Sequence, residues 1–438
     1  MTTLIAVAKQ IFLETLKAVE IDYVVKRKLR TVGGELILDG ESVDLDAYSE
    51  VVLVGMGKAS VTMGAAVEDL LAERIKRGIL VTNYQSNLSL RSEVLVAGHP
   101  LPDVNSLVAG RKIIELVQSC GKHSLIIFLV SGGGSSLVEA PLSDEISLED
   151  LRATNQILIG CGASIREINV VRKRLSRIKG GSLGDLARNS KCVGLYVSDV
   201  NPGDIRSIAS NPLLPEHLED TELFAVIEEF DLMRRLPESV ASVIAQLKSR
   251  RASGEWNWTG PKPVTLLLLD NADVLNAAAE LARSQGFRVE VDTELIEGNY
   301  RAVADQLIGR LMKLKSSVPR EPVCVISGGE VSCPVRGTGI GGRNQEFVLY
   351  CATKLADLGS RGRVVVLSCG TDGIDGNSKA AGAVAEAESV INAARLGLDA
   401  MSFIRNNDSY SFFKRVGGLI ETGPTGNNVR DIRVLLAE

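Results

Sequence analysis

Between positions 51 and 367 the sequence repeatedly sets a short run of Val, Ile and Leu against a longer amphipathic stretch. That alternation is the pattern of βαβ units and a mainly parallel sheet. The spacing predicts strands at 51–54, 79–81, 125–130, 193–197, 264–269, 288–291, 323–326 and 364–367. Helices are expected between most of them, among them 103–119 behind Asp103 or Asn105 and 271–285 behind Asp270 as amino-terminal caps. At 438 residues, with 45% hydrophobic but only 4% aromatic content, the chain suits aliphatic strands covered by helices on both faces. The segment SRRASGEWNWTGPKP at 249–263 breaks this periodicity and holds Trp256 and Trp258. It divides the chain into two α/β domains, 1–255 and 256–438, with both tryptophans expected in the seam.

Charge and cysteine usage exclude several classes of function. A net charge of −5 argues against a basic nucleic-acid footprint. Seven cysteines without a CxxC pair argue against a disulfide framework or a thiolate zinc site, and fit a reducing cytoplasm. Lys9, Glu14, Lys17 and Glu20 interrupt the opening apolar residues, which therefore read as an amphipathic surface helix rather than a signal peptide. No run reaches the roughly 20 apolar residues of a membrane span. The sequence admits a homodimer without arguing for one.

Chemistry is expected where strands end, because ligands of doubly wound sheets bind at the carboxyl ends of the strands. Three such junctions are glycine-rich. In GMGKAS at 55–60, Gly55 and Gly57 form a turn into a helix, and Lys58 adds a cation suited to phosphate. In SGGGSS at 131–136, Gly132, Gly133 and Gly134 lie between Ser131 and the pair Ser135 and Ser136, so phosphates can approach the backbone. The third runs from SGGE at 327–330, with Gly328, Gly329 and Glu330, to RGTGIGGRNQE at 336–346. Its Gly337, Gly339 and Gly342 satisfy GxGxxG, but the preceding VSCPVR contains Pro334 and does not read as a buried strand, which disfavours a dinucleotide fingerprint. Arg343, Asn344 and Glu346 instead crowd a helix's first turn, where an arginine can hold a carboxylate or phosphate bidentately.

Two further junctions carry acids: YVSDVNPGD at 196–204, with Asp199 and Asp204, and LSCGTDGIDG at 367–376, with Asp372 and Asp375. One or two such carboxylates facing phosphates are the usual protein share of a Mg²⁺ site, and one can accept a hydroxyl proton. Asp204 and Asp375 read as turn-formers, and His99, in GHPLPD at 98–103, as structural. The run 166–179 carries six positive charges and reads equally as a solvated face or an anion funnel. The GxSxG match at 180–184 follows a basic helical run, not the buried strand a nucleophile elbow requires.

Taken in order, GMGKAS, GHPLPD, SGGGSS, INVVRKRLSRIKGG at 168–181, SDVNPGD at 198–204, SGGE, GGRNQE, GTDG at 370–373 and TGPTGNN at 422–428 closely resemble the class II glycerate kinases with a carboxy-terminal MOFRL domain. The resemblance runs from about position 51 onward. It implies a Rossmann-like larger domain at 1–255 and a MOFRL-type domain at 256–438, with the active site in the cleft between them. It also implies transfer of a phosphoryl group from ATP to D-glycerate, usually giving 2-phosphoglycerate, with Mg²⁺ or another divalent cation. Carried over, it makes Lys58 and Arg343 catalytic and places Asp199 and Asp372 as acids holding metal or accepting a proton. The implied cofactor-binding set is Gly55, Gly57, Ser131–Ser136, Gly328, Gly329, Glu330, Gly339, Gly341, Asn344, Glu346 and Asp372. Members of this family resemble sequences often labelled hydroxypyruvate reductases, so NAD(P)H-dependent reduction is the enzymatic alternative. A nucleotide- or phosphosugar-binding protein without turnover is the non-enzymatic one.

Overall fold

A computed structural model describes residues 3–216, 219–249, 260–292, 296–359 and 364–438. The chain packs into two compact units, one of residues 25–268 and the other of residues 1–24 with 269–438.

The larger unit follows the expected α/β plan. Its six-stranded sheet runs in the order Glu93–Val96, Ile75–Thr82, Glu50–Met56, Ser124–Ser131, Lys191–Val197, Val264–Leu269. The first five are parallel neighbours. Ser124–Ser131 is buried along its whole length, as a strand covered on both faces must be. Helix Val104–Gln118 starts at a capping box, in which the Asp103 side chain accepts from Ser106 N while Ser106 bonds back. Its Ala109, Ile113 and Ile114 pack on Ile126, Phe128 and Val130. A second, all-helical core joins Leu151, Leu158, Val171, Leu223, Val240 and Ile244. A three-stranded antiparallel sheet, Leu29–Val32, Glu35–Leu38 and Glu41–Asp44, carries no apolar run in the sequence, because its strands are short and largely exposed.

The other unit departs from the mainly parallel plan. Its sheet order is Arg288–Asp292, Val323–Gly329, Asp431–Ala437, Val364–Gly370, Gly382–Glu386, Leu419–Ile420. Only the first pair is parallel, and the other four pairings are antiparallel. The turn 371–381 holds no helix, and a connection that short returns a strand antiparallel to its predecessor. Asp431–Ala437 lies inside the sheet, buried throughout, although Asp431 and Arg433 disguise it as something other than an apolar run.

The units do not divide where the composition changes. Helix Leu4–Ala18 belongs with 269–438, packing Leu4, Ala8, Ile11 and Phe12 against helix Asn271–Ser284 and the strands of that unit's sheet. Trp256 and Trp258 fall outside the described residues. All seven cysteines are free. Among the described residues no helix is long and apolar enough to cross a membrane.

Candidate active site

In the larger unit the strand Glu50–Met56 ends in the turn at Gly57, whose φ of 126° suits only glycine. A Cβ there would lie 2.1 Å from Ser131 Oγ, so the turn and the SGGGSS loop are in direct contact. The turn spends its amides on the protein: Gly57 N donates to Val81 O at 3.2 Å, Lys58 N to Gly132 O at 2.9 Å, and Ala59 N to Ser131 Oγ at 3.1 Å. Ser131 is therefore a tie between the two loops. Gly55 lies inside the strand, where a Cβ would meet Leu80 at 2.5 Å, so it serves close helix–sheet packing. The charged group that the turn carries is the Lys58 side chain.

The SGGGSS loop behaves differently. Gly133 has φ 84°, and among the described residues the amides of Gly133, Gly134 and Ser135 have no protein acceptor. A methyl group on Gly133 would sit 3.0 Å from His99 Cδ2, 3.1 Å from His99 Nε2 and 3.4 Å from Lys58 Cγ. His99 thus stands beside the glycine loop whose composition suits phosphate. Ser135 Oγ accepts from Arg172 Nη2 at 3.0 Å and pairs with Ser210 Oγ at 3.0 Å. Open amides, two cations and two hydroxyls converge on one glycine turn, which is the chemistry of an anion cradle.

Ser210 is held there by unusual backbone. Ala209, Ser210 and Asn211 have φ of 49°, 60° and 56°, a run of left-handed residues that non-glycine side chains disfavour. Gly180 N donates to Ser210 O at 2.9 Å, and Asn211 Nδ2 donates to Leu214 O and Glu216. Nothing in the residue types announces this segment. The basic run resolves into specific pairs: Lys173 with Glu216, Arg174 with Asp220, and buried Lys179 with Glu139. Arg166 and Arg177 stay exposed on the surface, and Arg172 turns to the glycine loop. Burial lowers the Arg172 pKa, partly offset by nearby Glu139.

In the other unit, the helix Arg343–Asp357 carries the site. Arg343 Nε donates to Asp431 Oδ2 at 2.7 Å, and Nη2 donates to Asp431 Oδ1 at 3.0 Å and Glu330 Oε1 at 2.8 Å. Burial works against its charge, but Asp431 outweighs that and raises the pKa. Arg433, fully buried, donates to the carbonyls of Gly328 and Gly329 at 2.8 and 3.2 Å and lies 5.4 Å over Phe347. Gly328 and Gly329 also pair with Ile432 and Asp431 in the sheet, so they build the strand rather than a cradle.

The GTGIGG turn is likewise committed. Gly337 N donates to Asn407 Oδ1, Thr338 N to Asn406 Oδ1, Gly339 N to Asn406 O, Ile340 N to Asp408 Oδ1 and Gly341 N to Asn377 Oδ1. The helix start is capped by Asp375, whose Oδ1 accepts from Asn344 N at 3.1 Å and Oδ2 from Gln345 N at 2.9 Å. Asp375 therefore already occupies the anion position that the helix end provides. Burial raises its pKa to about 6. Asn344 is buried with its side chain spent on Asp375 and Ser368, which removes it from the ligand-facing set.

Arg343 and Glu346 line a cavity of about 400 Å³ together with Val331, Cys333, Gly342 and Asn377. Glu346 is 1% exposed, and neither carboxylate oxygen has a hydrogen-bond partner. Burial raises its pKa to about 7. Asp199 and Asp372 are half-buried, each in the loop after a strand, and Asp372 Oδ1 accepts from Ile374 N at 3.2 Å. Among the described residues no group of three or more His, Cys, Asp or Glu side chains could hold a metal ion.

Residues 7–245 match the domain of unknown function DUF4147, and 323–431 match the MOFRL family. The chain is 35% identical to the D-glycerate 2-kinase of Thermotoga maritima, over 96% of this chain and 98% of that one. It is 38% identical to a protein of Agrobacterium vitis with the provisional name of a hydroxypyruvate reductase, over 88% of this chain and 86% of the other. The crystal structure of a glycerate kinase from Thermotoga maritima superposes with a TM-score of 0.84 at 33% identity, covering 99% of each chain. The motifs, the fold and these matches agree: the chain belongs to the class II glycerate kinase family with a carboxy-terminal MOFRL domain.

Proposed function

We propose that the protein phosphorylates D-glycerate with ATP, giving 2-phosphoglycerate and ADP. The observation that carries this reading is the Gly133–Ser135 turn, whose amides have no protein acceptor and whose rim is formed by Lys58, His99 and the Arg172–Ser135 pair. Phosphoryl transfer asks a protein chiefly to position reactants and to stabilise charge on the moving group. Lys58 supplies charge to the phosphates. Arg343 keeps Nη1 outside its bonds to Asp431 and Glu330, and offers it to the glycerate carboxylate.

Asp199 and Asp372 each present a single carboxylate, which suits a Mg²⁺ ion that takes most of its ligands from ATP and water. When bound, such an ion would supply positive charge that offsets the charge of the phosphates. The seven unpaired cysteines support a cytoplasmic setting, and a homodimer is the assembly to look for in solution.

The reductase alternative draws on the GTGIGG turn. That turn's amides are taken by Asn377, Asn406, Asn407 and Asp408, and its helix end by Asp375, which leaves no cradle for a dinucleotide pyrophosphate. Coupled assays decide between the two. ADP release is expected with D-glycerate and Mg-ATP, falling on the order of 10²-fold in Lys58→Ala and Arg343→Ala. Oxidation of NADH by hydroxypyruvate without any ADP release would overturn the kinase reading, and phosphorus NMR of the product identifies the hydroxyl modified.

A further inference from the structure

Glu346 is the one acid in its cavity that the fold leaves unanswered. Both carboxylate oxygens are buried and, among the described residues, only the Ser409 hydroxyl and amide face them, without reaching full hydrogen-bond geometry. Buried polar groups in native proteins are almost always paired, so an unpaired carboxylate points to a ligand that the fold itself does not supply. The neighbouring acids are accounted for, Asp375 by the helix amides and Asp431 by Arg343. Arg343 and Glu346 stand three residues apart in the first turn of one helix, on the same face, and line the same cavity of about 400 Å³.

We propose that this cavity is the 2-hydroxy-acid subsite, with Arg343 Nη1 holding the substrate carboxylate and Glu346 accepting the proton of the hydroxyl that is phosphorylated. The inference deepens the kinase reading and rests on it. The hydroxyl oxygen attacks the γ-phosphorus of ATP while its proton passes to Glu346. The bond from the γ-phosphorus to the bridging oxygen breaks, and ADP leaves with the electron pair. Glu346 returns the proton to water as the phosphorylated acid departs.

The surroundings suit this task. Burial holds the carboxyl near neutrality, its pKa raised to about 7, and the Asp375 charge pushes in the same direction. Ser409 faces it from helix Ser409–Val416 and favours the ionised form without completing a hydrogen bond. Arg301, which donates to Tyr300 Oη and stacks over Tyr300 and Tyr350, also favours it. Cys333, its thiol pushed up to about 12, stays neutral beside it.

The test compares the full-length protein with Glu346→Gln, which preserves shape and removes the proton acceptor. Expected are kcat lower by on the order of 10²-fold, little change in KM for ATP, and loss of the acid limb near pH 7 expected of the wild type. Thermal unfolding of Glu346→Gln at or above the wild-type temperature establishes that the fold is intact, and Glu346→Asp should restore part of kcat together with the acid limb. Wild-type turnover in Glu346→Gln, or an unchanged acid limb, overturns the assignment while leaving the kinase reading in place. Calorimetric binding of D-glycerate separates the two readings from the other side. Binding that weakens about tenfold in Glu346→Gln, in a protein that releases no ADP, would retain the subsite and reject the reaction. No binding to the wild type would reject the subsite.

Discussion

Arg343 grips Asp431 through two parallel hydrogen bonds, Nε to Oδ2 at 2.7 Å and Nη2 to Oδ1 at 3.0 Å. Asp431 is fully buried and also lies 3.8 Å from buried Arg433, so one carboxylate faces two guanidinium groups. Asp431→Asn removes the charge that balances both. Breaking a buried pair from one side costs about 3 kcal/mol, to be read as a lower urea midpoint accompanied by lower kcat as Arg343 loses its seat. An unchanged midpoint would show that the pair does not anchor the sheet.

Glu346 makes stability depend on pH in a defined direction. Its folded pKa of about 7 lies above the ordinary 4.5, so the native state holds the proton more tightly than the unfolded chain. The stability this provides is complete below the unfolded value and is lost as pH rises through the folded one. Glu346→Gln should therefore match the wild type at about pH 4 and exceed it at about pH 8 by about 3 kcal/mol. Chemical unfolding at the two values checks this, and a variant no more stable at the higher value would count against a buried, unpaired carboxylate.

The two loop glycines of the larger unit should fail in different ways. A Cβ on Gly57 would meet Ser131 Oγ at 2.1 Å and the Ser131 carbonyl oxygen at 2.5 Å, with φ at 126°. Gly57→Ala is expected to destabilise by about 3 kcal/mol. At Gly133 the nearest atoms are side chains, His99 at 3.0 Å and Lys58 at 3.4 Å, so Gly133→Ala should cost about 1–2 kcal/mol. Its activity should nevertheless fall more than about tenfold, because the methyl group enters the space where phosphate is proposed to lie. Equal activity in Gly133→Ala and the wild type would remove the loop from the site.

Arg172 donates to Ser135 Oγ at 3.0 Å, beside the open amides. Arg172→Lys retains the charge but loses the fork that holds Ser135 while facing an anion. KM for ATP should rise about fivefold to tenfold, with kcat changing less. An unaltered KM would confine Arg172 to a structural part.

Much of the larger unit was legible because its strands are uninterrupted apolar runs separated by helices with ordinary caps. Lys58 and the SGGGSS loop stand out as candidates because each follows the end of such a run, whereas Arg343 stands out by its place in a helix's first turn. The rest was hidden by non-local pairing. Asp375 reads as a turn residue, yet its turn folds back onto the helix that begins at Arg343. The amides of the GTGIGG turn are taken by Asn406 and Asn407, far along the chain, so a motif that looks like a phosphate cradle is a laced structural loop. Asp431 and Arg433 obscured an interior strand because each charge finds its partner only in the folded sheet. His99 and Ser210 reach the site through backbone geometry that residue type does not encode.

Because helix Leu4–Ala18 packs with residues 269–438, that unit is built from two pieces of chain flanking the whole of the other. During synthesis the helix emerges before residues 269–438, with Leu4, Ala8, Ile11 and Phe12 uncovered while the strands that bury them are still to be translated. Residues 25–268 can close upon themselves in the meantime. Biogenesis therefore runs from the inside outward, insert before host. The nascent helix is the segment that needs shielding on the ribosome, and a circular permutant opened before residue 25, with residue 438 linked to residue 1, would deliver the helix after the strands that bury it.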